Sequence, residues 1–198
     1  MITFNNLSKE IPFKIFKKKY EESLRADQKN IEAVCISSYS NELKEVNSRF
    51  VNLKFVQNKD FIFFSNYSSP KAKEFNSHNQ MTATIYWNST DTQIRLKAHI
   101  KKSTKKFNQE YFCQRNEKKN ALAISSNQSD PIKSYEEVKK NYDKSLLTKN
   151  LKKCPEYWGG FSFTPYYFEF WQGHVSRLNK RDIYKLENNS WNHIIAQP

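Results

Sequence analysis

Residues 158–181 read WGGFSFTPYYFEFWQGHVSRLNKR, and the rest of the chain is organised around this stretch. It holds all three glycines of a 198-residue chain, Gly159, Gly160 and Gly173, and two of its four tryptophans, Trp158 and Trp171. Between them lie Phe161, Phe163, Tyr166, Tyr167, Phe168 and Phe170, followed by a polar turn and then Arg177, Lys180 and Arg181. A chain so sparing with glycine is expected to place it where the backbone needs a positive φ or a close approach. Aromatic walls beside a basic cluster suit a flat, negatively charged ligand.

Working outward, this block is expected to supply two or three strands, ending in a hairpin near residues 187–190 and the apolar pair Ile194 and Ile195. Upstream, residues 12–30 place Phe13, Phe16, Tyr20 and Leu24 at helical spacing, with Pro12 in the first turn. The period then changes. Residues 31–40, 48–57 and 61–67 predict three meandering strands, and 81–88 and 92–103 two longer ones. Between these sets, Ser68 or Ser69 with Pro70 opens a short helix. Residues 105–127 are helical with a break around 115–117, and Ser134 and Glu137 form a capping-box pattern before a further helix. Adjacent strands with peripheral helices predict a mainly β protein, one antiparallel, Greek-key-like sheet closed or half closed into a barrel.

Net charge is +13, but lysine is spread through the whole chain beside asparagine, as in KKSTKK and EVKKNYDK. That pattern favours solvated faces over a nucleic-acid footprint. Aromatics at alternating strand positions likewise favour a core over a base-stacking platform. Three glycines in one block can write neither the GxGxxG fingerprint nor a GxxxxGK[ST] phosphate loop, so any phosphate must be held by side chains and ordinary amides. There is no GxSxG elbow, and His78, His99, His174 and His193 lack ligand spacing, so no metal site is expected. Cys35, Cys113 and Cys154 are odd in number and far apart, which fits a reduced, cytoplasmic setting. No apolar run approaches the roughly 18 residues of a membrane span, and no secretory h-region is evident.

One ordered set of residues remains. Arg49-Phe-Val-Asn-Leu-Lys54, Phe64-Ser65-Asn66 with Lys71, Gln93, Tyr111 with Arg115, Gln128-Ser129, Trp158-Gly-Gly-Phe161, Glu169-Phe-Trp-Gln-Gly173 and Arg177-Leu-Asn-Lys-Arg181 together resemble the pyridoxamine 5'-phosphate oxidase family. The likeness runs from about residue 12 to the C-terminus and is most specific in the last block.

The resemblance implies a single FMN-binding split barrel, with residues 1–30 as arm and helix and 158–198 as a dimerisation and active-site segment. It implies a homodimer with FMN in the interface, converting pyridoxine or pyridoxamine 5'-phosphate to pyridoxal 5'-phosphate with molecular oxygen as acceptor. Carried over by position, Arg49, Val51, Asn52, Lys54, Phe64, Ser65, Lys71, Gln93, Gln128, Ser129, Trp171 and Arg181 would bind flavin. Lys54, Tyr111, Arg115, Lys119, Arg177 and Asn179 would bind substrate, with Arg177 and Asn179 at the reacting centre. This chain departs from the family pattern at Pro70, where an arginine is usual, at Lys119, usually serine, at Phe64, usually tyrosine, and at Asn179, usually histidine. A related flavoprotein with another substrate, or a non-catalytic FMN or pyridoxal-phosphate binder, is compatible with those changes.

Overall fold

The structure is a computed structural model and describes residues 1–198. In order the chain forms β1 (Thr3–Asn5), α1 (Ile11–Arg25), β2 (Ala33–Ser40), β3 (Glu45–Gln57), β4 (Asp60–Asn66), α2 (Pro70–Ser77), β5 (Gln80–Trp87) and β6 (Thr92–Lys102). Then follow α3 (Lys105–Gln114), α4 (Glu117–Ser125), α5 (Tyr135–Thr148), β7 (Trp158–Gln172), β8 (Lys180–Glu187) and β9 (Ser190–Ala196). β3, β2, β5, β6, β7 and β4 pair in that order, all antiparallel, and β4 returns to β3, closing a six-stranded barrel. The short parallel contact of β1 with β3 was not foreseen, because three residues carry no periodicity.

The aromatic stretch is the strand on which the barrel both closes and splits. The first part of β7, from Trp158 to Phe163, pairs with β4, whereas its second part, from Tyr167 to Gln172, pairs with β8. The register on β6 slips between Lys97 and Ala98, leaving Tyr166 as the extra residue of a bulge next to Pro165. One inserted residue reverses the inward parity. Phe161 and Phe163 are buried before the bulge, and Phe168 and Phe170 after it. β4 joins β3 only from Leu53 onward, so residues 45–52 of β3 pair with β2 alone and keep one edge open.

Phe13 and Phe16 of α1 are fully buried, Phe16 edge-on to Phe61 at 4.9 Å and Phe13 edge-on to Phe168 at 5.1 Å. α1 stops at Arg25, short of the expected residue 30, because Asp27 and Asn30 adopt left-handed φ of 53° and 50°, and Leu24 is left 40% exposed. The expected helix break falls at Arg115 and Asn116, whose side chain caps α4 by accepting from Lys118 N at 2.9 Å. Ser134 caps α5 through Glu137 N at 3.2 Å. No glycine has a positive φ. Asparagine and aspartate, whose short polar side chains satisfy local backbone groups, take most left-handed turns, and the glycines serve close approach only.

Candidate active site

Along the open edge of β3 lies a cleft of about 670 Å3, bounded by β4, the start of α2, the junction of α3 and α4, and the loop after α4. Of the residues expected at a ligand, Arg49, Val51, Asn52, Lys54, Phe64, Ser65, Lys71, Tyr111, Arg115, Lys119, Gln128 and Ser129 all line it. With one edge of residues 45–52 unpaired, side chains from both faces of β3 reach the same cavity.

At one end, Ser65 on β4 and Lys71 in the first turn of α2 come together. Lys71 is only 6% exposed, and its Nζ donates to Ser65 Oγ and Ser69 Oγ, both at 3.2 Å. Burial, reinforced by the nearby Arg49 and opposed by Glu74, pulls the Lys71 ammonium down to about 8. A buried cation whose hydrogen-bond partners are two neutral hydroxyls is costly unless an anion joins it. Arg49 stands beside it, paired with Glu74 Oε2 at 3.1 Å. Ser65 Oγ in turn donates to Gln128 Oε1 at 3.0 Å, which ties in the loop after α4, and Ser129 there holds a left-handed φ of 75°.

Five residues along β3, roughly 16 Å at ~3.3 Å each, separate Arg49 from Lys54 at the other end. Lys54 pairs with Glu32 at 3.2 Å. Arg115 Nη1 donates to Lys119 O at 2.9 Å and Asn120 Oδ1 at 3.1 Å, and its guanidinium lies 4.9 Å above the Trp158 ring. Burial lowers the Arg115 pKa and raises that of Tyr111, each opposed by the attraction between the two. Tyr111, Phe64 and Trp158 form a near-parallel stack, with Phe64 4.0 Å from Tyr111 and 5.1 Å from Trp158. The wall between the cationic ends is therefore flat and aromatic.

Gln93, Trp171, Arg181, Arg177 and Asn179 do not line this cleft. Gln93 on β6, Trp171 on β7 and Arg181 on β8 are direct cross-strand neighbours and form one row across the sheet. Arg181 is held there by Glu169, which accepts from its Nε at 2.9 Å and Nη2 at 2.8 Å, from Arg95 Nη1 at 3.0 Å and from Tyr167 Oη at 2.9 Å. Burial works to raise the Glu169 carboxyl, but the bonds from Arg181 and Tyr167 and the charge of Arg95 outweigh it and hold it below the usual range. Burial and that carboxylate push the Tyr167 phenol up to about 12. Arg177 and Asn179 sit on the loop between β7 and β8. Arg177 is exposed with a left-handed φ of 58°, and Asn179 Oδ1 accepts from His174 N at 3.1 Å.

Sequence reasoning missed Glu74, Ser38 and Asn120, whose roles depend on neighbours distant along the chain, and gave Ser69 a place only at the start of α2. It also gave no sign that Trp158 stacks on Arg115. Asn120 is fully buried and ties Arg115 to Phe112 O and Leu151 O, both at 2.8 Å.

The donor set suits a flat phosphorylated group, since a buried lysine hydrogen-bonded to no carboxylate, a neighbouring arginine and a hydroxyl converge beside an aromatic wall. Fold and cleft together define a split-barrel protein with a cationic, aromatic-walled cleft. Residues 158–198 match the model of the pyridoxine 5'-phosphate oxidase C-terminal dimerisation region. The chain is 34% identical over 176 residues to pyridoxine/pyridoxamine 5'-phosphate oxidase 1 of Hydrogenovibrio crunogenus, covering 88% of this chain and 81% of that one. It is 31% identical over 188 residues to the Coxiella burnetii pyridoxine/pyridoxamine 5'-phosphate oxidase, covering 94% and 95%. The protein belongs to the pyridoxine/pyridoxamine 5'-phosphate oxidase family. Its fold matches PhzG from Burkholderia lata, solved in complex with tetrahydrophenazine-1-carboxylic acid, with a TM-score of 0.89 at 22% identity over 94% and 92% of the chains. A pyridoxamine 5'-phosphate oxidase-related, FMN-binding protein from Nostoc punctiforme matches with a TM-score of 0.79 at 9% identity over 96% and 99%.

Proposed function

We propose that the protein is an FMN-dependent oxidase that converts pyridoxine or pyridoxamine 5'-phosphate to pyridoxal 5'-phosphate, with oxygen as acceptor and hydrogen peroxide as product. The observation that carries this reading is the cleft with a cationic group at each end and an aromatic wall between them. Two phosphates in one cavity need that arrangement. Arg49, Lys71 and Ser65 take the flavin phosphate. Lys54, Tyr111, Arg115 and Lys119 take the substrate phosphate. Val51, Asn52, Phe64, Gln128 and Ser129 line the flavin.

FMN supplies the hydride acceptor and the route of electrons to oxygen. The protein contributes orientation and electrostatics. In this reading Gln93, Trp171, Arg181, Arg177 and Asn179 act on the cleft of a second copy, so that a homodimer completes each site. Phe50 on the cleft rim, 75% exposed, and Val175 and Leu178 beside Arg177, 99% and 70% exposed, are the apolar surface such a dimer would cover. Arg177 brings a fixed positive charge to the substrate ring, and Asn179 a hydrogen-bonding amide that exchanges no proton near neutral pH.

A second reading, a related flavoprotein with a different substrate, draws on Lys119, which adds a third cation at the substrate end of the cleft. An absorption spectrum of the purified protein with FMN, before and after anaerobic addition of pyridoxine phosphate, tests both. Bleaching of the flavin band is the expected outcome. A protein that stays colourless with FMN sinks the proposal, and a yellow protein that pyridoxine phosphate fails to bleach leaves the second reading.

A further inference from the structure

Glu74 lies on α2 three residues after Lys71, on the same helix face, and its side chain is 7% exposed. Its Oε2 accepts from Arg49 Nη2 and from the Ser38 hydroxyl, and its Oε1 accepts from Asn47 Nδ2 at 3.0 Å. Arg49 Nη1 donates to Ser38 Oγ and to Asn47 O. A guanidinium has five N–H groups in a fixed plane. Both Nη1 hydrogens and one on Nη2 are thus committed, the bonds to Ser38 and Glu74 at the terminal edge and the second Nη1 hydrogen to Asn47 O. The Nε hydrogen and the other Nη2 hydrogen remain, and these two point the same way and form the side-on fork that matches two oxygens of a phosphate. Lys71 Nζ, with two of its three hydrogens on Ser65 and Ser69, adds one more free donor.

We propose that Glu74 is the positioning residue of this cradle: with Ser38 it clamps the terminal edge of Arg49, so that the side edge is presented, together with Lys71, to a phosphate monoester. Without the clamp the guanidinium is free to turn its terminal edge or swing into solvent, and the fork is lost. Selection follows from the same geometry, because three convergent N–H donors reward a phosphate and give nothing to the same ligand without one. This rests on the flavin-phosphate assignment made above.

The test compares FMN with riboflavin by flavin-fluorescence titration on the wild type, Glu74→Ala, Glu74→Gln and Ser38→Ala, with circular dichroism as a check on folding. Glu74→Ala and Ser38→Ala are expected to weaken FMN about ten- to a hundredfold, the typical value of a charge-assisted hydrogen bond, and to leave riboflavin unchanged. Glu74→Gln keeps an oxygen for Nη2 and is expected to lose less than tenfold. Unchanged FMN binding by Glu74→Ala would mean that the carboxylate positions nothing, and tighter binding that it competes with phosphate; either result overturns the proposal. A parallel loss of riboflavin also overturns it. If the wild type binds neither flavin, the flavin reading fails by itself. The clamp is then judged by inorganic phosphate, which must raise the melting temperature of the wild type and not of Glu74→Ala.

Discussion

The carboxylate of Asp91 occupies the space where a Cβ on residue 173 would stand, and Gly173 N donates to Asp91 O at 2.9 Å. This contact pins the turn between β5 and β6 to the loop that carries Arg177 and Asn179. Asp91 is itself held, its Oδ1 accepting from Tyr86 Oη at 2.9 Å while its backbone takes a left-handed φ of 44°. Gly173→Ala is therefore expected to displace the loop, costing about 1–3 kcal/mol of stability as for other overpacked sites and lowering turnover. Asp91→Gly removes the obstructing carboxylate and tolerates the backbone, so the double variant should recover most of both losses. Thermal denaturation and steady-state rates on the four proteins measure this.

Binding of the phosphate should depend on pH through Lys71. Its folded value is lowered to about 8 from 10.5, so between those values the unfolded chain holds more protons and stability rises with pH; the folding penalty is complete below about 8. Lys71→Met is accordingly expected to raise the melting temperature of the ligand-free protein at pH 7, with the gain vanishing toward pH 10.5. FMN affinity in the wild type should fall as pH rises above about 8, where the ammonium is lost, and Lys71→Arg should remove that fall. Titrations from pH 7 to 9.5 decide.

Arg49 and Arg177 are expected to separate binding from turnover. Arg49→Ala should weaken FMN retention first, by roughly 1.5–3 kcal/mol, or ten- to a hundredfold. Arg177→Ala should reduce turnover far more than flavin affinity. Release of flavin by Arg177→Ala with normal turnover after reconstitution would reverse the assignment.

Asn179→His introduces a group that titrates near pH 6.5 at the position proposed to face the substrate. The ring can still accept from His174 N in place of the Asn179 carbonyl, so the loop should keep its shape. Turnover is expected to rise and to acquire a new ionisation between about pH 6 and 7. A rate and pH profile identical to the wild type would remove residue 179 from the reacting centre.

The sequence by itself determined the kind of elements and their order, because burial imposes period two on strands and period 3.6 on helices. The meander of β2, β3 and β4, α1 with Phe13, Phe16 and Tyr20 buried, and the break at Arg115 all follow from such local rules. The family resemblance, not periodicity, named Arg49, Lys54, Phe64, Ser65 and Lys71 for the cleft, and these lie within one hairpin and the start of the next helix. Only the tertiary structure decided the rest. At the bulge at Tyr166 β7 passes from β4 to β8, and β4 pairs with β3 only from Leu53 onward, which leaves open the edge of β3 that becomes the cleft. A hydrogen-bond partner many residues away, such as Glu74 for Arg49 or Glu169 for Arg181, leaves no periodicity in sequence. Nor does the sequence show that Gln93, Trp171 and Arg181 form a row outside the cleft. Those relationships exist only once register fixes which side chains meet, and register is settled by the packing of the whole barrel.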